Sequence, residues 1–91
     1  MMTREQVLER IAMVEDVSVF EGMDGTIRIT VEDFDGFDEH WSEIMVDYDE
    51  EAVWELQEWL EEQAVSVDDD YYTDYHFKGF SVRLGYASDD I

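Results

Sequence analysis

The chain has 91 residues, 45% of them hydrophobic and 14% aromatic, which is enough apolar material for one small core and too much for a disordered tail. Against 26 Asp and Glu stand only 5 Lys and Arg, a formal charge of −21 that excludes nucleic-acid binding through a basic patch and disfavours an anionic membrane surface. Cysteine is absent, so disulfides, thiolate nucleophiles and thiolate metal sites are excluded as well.

No run of about 18 apolar residues is present to span a bilayer, and Met1 to Gln6 turns polar too soon for a secretory signal. The expectation is a soluble, cytoplasmic protein.

Thr3 and Gln6 have the spacing of a capping box, and Val7, Leu8, Ile11, Ala12 and Val14 recur with helical period, which predicts a first helix from about Arg4 to Met13. Val17 to Glu21 is rich in β-branched residues, Gly22 to Gly25 supplies turn chemistry, and Thr26 to Glu32 alternates polar and apolar residues. These segments read as a β-hairpin with Ile27, Ile29 and Val31 on one face and Thr26, Arg28, Thr30 and Glu32 on the other.

Glu32 to Glu39 reads as an acidic loop, and His40 to Val46 as a third strand. A second helix opens at Asp47 or Asp49 and runs to about Gln63, with acids in its first turn that complement the helix dipole. Val65 to Val67 then leads into a loop of Asp68, Asp69 and Asp70. The final strand is expected from about Asp74 to Tyr86, with Phe80, Val82, Leu84 and Tyr86 on one face and a bulge at Gly79 where the alternation changes phase. The expected fold is a single α+β domain over residues 1–91: an antiparallel sheet of about four strands packed against two helices, in the order αβββαβ.

The basic residues are Arg4, Arg10, Arg28, Lys78 and Arg83, so the 49 positions from Ile29 to Phe77 hold 18 acids and no Lys or Arg. A small domain needs a net charge of only about 2 to 8 in magnitude for solubility, and further charge opposes compaction. Halophilic adaptation, a merely solvated surface and a binding face for a strongly basic protein are the three explanations. Thirteen aromatic residues and only four Ala fit salt adaptation poorly and favour the binding face.

The second helix concentrates this pattern. Projected at about 100° per residue, Ala52, Val53, Leu56, Trp59 and Leu60 form a core stripe, and Glu51, Glu55, Glu58 and Glu62 fall within about 60° of arc on the opposite side, flanked by Glu50 and Glu61. Trp54 projects among Glu50, Glu58 and Glu61, the surroundings of an interface anchor ringed by charge. Spread over a globule roughly 30 Å across, the net −21 is comparable to the roughly 18 phosphate charges of duplex DNA of that length.

Small size, absent Cys, extreme acidity, many aromatics and an α+β pattern together resemble the acidic DNA-mimic inhibitors of phages and mobile elements, among them anti-restriction and anti-CRISPR proteins. The likeness is one of class and rests on no diagnostic motif. Its residues are Asp33, Asp35 and Asp38, the row Glu51, Glu55, Glu58 and Glu62, and Asp68, Asp69 and Asp70. It implies a non-catalytic inhibitor that occupies the DNA-binding surface of a host defence nuclease, a CRISPR effector or a restriction enzyme. Carboxylates would there meet the Arg and Lys that otherwise grip phosphate. An antitoxin or immunity protein against a basic toxin enzyme is the alternative partner class.

Other chemistry has less support. The acids around Gly36 miss the EF-hand spacing, because that glycine comes two positions early. His40 and His76 lie in strand-like segments without a ligand pattern. No phosphate-cradling glycine loop or nucleophile motif is present. The expected protein has no catalytic residues, metal or cofactor, and binds no nucleic acid directly.

Overall fold

The structure is a computed structural model that describes residues 2–31 and 49–86. Its elements are α1 (Arg4–Ile11), β1 (Val17–Glu21), β2 (Thr26–Val31), α2 (Glu50–Gln63), β3 (Ser66–Asp69), β4 (Thr73–Phe77) and β5 (Phe80–Tyr86). The expected His40–Val46 strand lies outside the described residues.

Both helices start where local chemistry places them. The Thr3 hydroxyl accepts from the Gln6 amide and the Gln6 side chain accepts from the Thr3 amide, closing the capping box. Asp49 caps α2 by accepting from the Ala52 amide at 3.1 Å, and its own amide donates to Asp16 at 3.1 Å, tying the helix to the segment after α1. α1 ends two residues earlier than the sequence predicts, with Ala12 as its cap.

The strands form one five-stranded sheet in the order β1-β2-β5-β4-β3. The β1–β2 hairpin is antiparallel as expected, turning through Gly25 at φ 86°, where the Asp24 carboxylate accepts from the Thr26 amide at 3.0 Å. That amide holds the Asp24 carboxyl below its ordinary pKa.

Three features depart from the sequence reading. The sheet is mixed, because β5 lies parallel to β2 between the two hairpin systems. The single final strand is two strands, β4 and β5, joined at Lys78-Gly79. Gly79 sits at φ 90°, so the change of phase marks a tight turn and not a bulge. Asp68 and Asp69 belong to β3, which pairs antiparallel with β4, and only Asp70 stands in the following turn.

Both helices cover the same sheet face. Val7 and Ile11 of α1 and Val53, Leu56 and Leu60 of α2 pack with Ile27, Ile29, Val31, Tyr75, Phe77, Val82 and Leu84 in one core. Each fully buried Val, Ile or Leu contributes about 1.5–3 kcal/mol relative to exposure. Ala52 and Trp59 complete the expected α2 stripe as partly buried neighbours of that core. Arg10 lies over the Trp59 ring at 5.8 Å and joins the two helices. The other sheet face carries no helix among the described residues, and β1 and β3 are the sheet edges.

Candidate functional site

The outer side of α2 is the acidic surface the sequence predicts. Asp49, Glu50, Glu51, Glu55, Glu58, Glu61 and Glu62 are all exposed, and no Lys or Arg falls between Asp49 and Gln63. Seven carboxylates over 15 residues amount to one per about 3 Å of helix axis, close to the roughly 3.4 Å between phosphates along one DNA strand. The local match matters more than the whole-molecule one. The described residues extend 48 Å along their long axis, more than the roughly 30 Å expected of a compact chain of this length.

Trp54 is 57% exposed on this helix, so its indole stands among the carboxylates and not against the core. Glu58, Glu61 and Glu62 border an open depression of about 480 Å³, large enough for a guanidinium or ammonium group.

Strand β3 divides the three aspartates. Register partners share a face. Asp69 therefore sides with Thr73, whose hydroxyl donates to it at 3.4 Å, on the helix face of the sheet. Burial pushes the Tyr75 phenol up to about 12, and the nearby charges of Glu61 and Asp69 add to the shift. Glu61 of α2 and Asp69 of β3 therefore converge around one ring, which extends the acidic side beyond the helix. Asp68 points to the open face, where it contacts His76 Nε2 at 2.8 Å. Asp70 lies exposed in the β3–β4 turn. Asp33, Asp35 and Asp38 lie outside the described residues.

The open sheet face is different in kind. A single transverse row runs Asp68, Asp74, Arg83, Arg28, Phe20 across all five strands, each residue in register with the next. Arg83 donates through Nε and Nη2 to the two carboxylate oxygens of Asp74 at 2.8 and 3.1 Å, and rests over the Tyr72 ring at 5.3 Å. The Asp74 hydrogen bond raises the Arg83 pKa further. Two acids and two bases cancel along this row, while α2 carries acids alone. Among the described residues, this charge-balanced row lies on the side of the sheet away from the acids of α2.

Sequence reasoning missed the row because it needs strand order. Its local signal is the repeated motif Ile27-Arg28-Ile29 and Val82-Arg83-Leu84, an arginine opposite two core residues in each central strand. Among the described residues, no group of three or more His, Asp or Glu is placed to hold a metal ion, and no helix is long and apolar enough to cross a membrane. Comparison of the chain with protein families, with curated proteins and with solved structures finds no match.

Proposed function

We infer that the protein is a non-catalytic inhibitor that imitates the charge of nucleic acid and blocks the DNA-binding surface of a host defence nuclease. The observation that supports this reading is α2: an exposed row of carboxylates at phosphate-like spacing, free of bases, with a half-exposed tryptophan inside it. Like charges at i,i+4 and i+3 cost a helix about 0.2–0.5 kcal/mol per pair, and an anionic face kept at that cost serves a cationic partner. Carboxylate–guanidinium pairs give the on-rate and the specificity, and Trp54 supplies apolar area that phosphate lacks.

The partner is a basic DNA-binding protein of the CRISPR-effector or restriction type, and the α2 face with Asp69 is its contact surface. The test is a competition in which candidate nuclease, labelled duplex and this protein are mixed. Loss of duplex binding that weakens with added salt supports the reading. Normal duplex binding across such nucleases, with the protein in excess, rejects it. The variant carrying Glu51→Lys, Glu55→Lys and Glu58→Lys is the control, expected to keep the fold and lose the inhibition.

A further inference from the structure

The open sheet face contains a cavity of about 280 Å³ over β2 and β5, with Arg28, Thr30, Tyr72, Arg83 and Gly85 in its wall. We propose that this cavity binds a small organic oxyanion, a single ring bearing a phosphate or carboxylate, with Arg28 as its charge partner and Tyr72 as the wall against which the ring lies. The proposal is independent of the role assigned to α2.

Two observations carry it. The first is electrostatic. Arg28 and Arg83 are register partners on adjacent parallel strands, whose backbones lie about 4.8 Å apart. Side-by-side like charges on one face destabilise a sheet unless an opposite charge compensates. Asp74 compensates Arg83 in a two-pronged pair, and Asp68 is engaged by His76. The cross-strand neighbours of exposed Arg28 are Phe20 and Arg83, and the Asp24 carboxylate in the turn interacts with it electrostatically. Among the described residues no carboxylate forms an ion pair with Arg28, so its guanidinium donors are open at the rim of the cavity.

The second observation is steric. A Cβ built on Gly85 would lie 3.0 Å from the Tyr72 ring, tighter than ordinary contact, so the missing side chain is what lets that ring lie down on the sheet. Glycine inside a strand weakens it, and close approach of another group is a recognised reason for its presence. The result is an aromatic wall beside a guanidinium pair. An apolar cavity of about 150 Å³ admits benzene, so about 280 Å³ holds one ring and its anionic group. The α2 carboxylates lie on the helix side of the sheet, and at physiological salt a Debye length of about 8 Å screens their repulsion.

The test is an amide NMR titration of the full chain with phenyl phosphate, benzoate and inorganic phosphate at physiological ionic strength. Saturable shifts at Thr30 and Gly85 are expected with the ring-bearing anions by about 10 mM, where a Kd of about 1 mM is already well occupied. Arg28→Gln should weaken binding at least about tenfold. Stronger shifts with phenyl phosphate than with benzoate assign a phosphate ligand, and the reverse assigns a carboxylate. Absence of saturable shifts in the unmodified protein, inorganic phosphate matching phenyl phosphate, or undiminished binding by R28Q would overturn the proposal.

Discussion

Asp68 and Asp69 are consecutive in the chain and serve opposite faces of the sheet: one meets His76 beside the arginine row, the other approaches Tyr75 on the side covered by α2. Their removal should therefore have unequal effects. Asp69→Asn should weaken partner binding by about two- to fivefold, the size of one exposed ion pair, and Asp68→Asn should leave it unchanged. The same nuclease competition measures both, and equal losses would contradict the division of faces.

Stability and binding should move in opposite directions on α2. Glu55 stands four residues after Glu51 and three before Glu58, so Glu55→Lys turns two repulsive pairs into attractive ones. The expected gain is about 0.5–1 kcal/mol in urea unfolding, together with reduced inhibition. A variant that lost stability would show that these carboxylates are not in mutual repulsion.

Much of this was legible in the sequence, and the misses have a common cause. Thr3 with Gln6 and Asp49 fix the helix starts through contacts three residues long, so local spacing suffices for them. The acidic face of α2 follows from a rotation of 100° per residue, which needs no tertiary knowledge. Asp68 and Asp69 read as loop residues in the sequence because acids are poor strand formers. Pairing with β4, and the contacts to His76 and Thr73, override that preference. The parallel β2–β5 pairing joins residues 55 positions apart, and no alternation within either strand records it.

Tyr75 gives a pH signature. Its phenol is raised from 10.0 to about 12 in the folded state, so between those values the native protein retains a proton that the unfolded chain releases. The stabilising contribution is complete below pH 10 and is lost as pH rises toward 12. Phenolate absorbance should show a late-titrating component that disappears in Tyr75→Phe, and the same substitution should flatten that limb of the stability profile.

Backbone geometry and packing set the remaining expectations. Gly79→Ala should cost about 1–2 kcal/mol, because φ of 90° is strained for any residue with a Cβ. Leu56→Ala, at a fully buried position, should cost about 2–5 kcal/mol, a large share of what a domain of this size holds in reserve. Denaturant midpoints with unchanged slopes would establish both effects as losses of stability alone.

The exposed edge at β1 gives the acidity a second consequence. Among the described residues, Val19 and Phe20 stand 44% and 66% accessible on a strand paired along one side, the kind of border on which another chain can build. Copies bearing −21 apiece keep one another at a distance, so the charge that suits a cationic partner also guards against fibril growth. Acidification toward the isoelectric point near 4.1 removes that guard, and aggregation should then begin from this border.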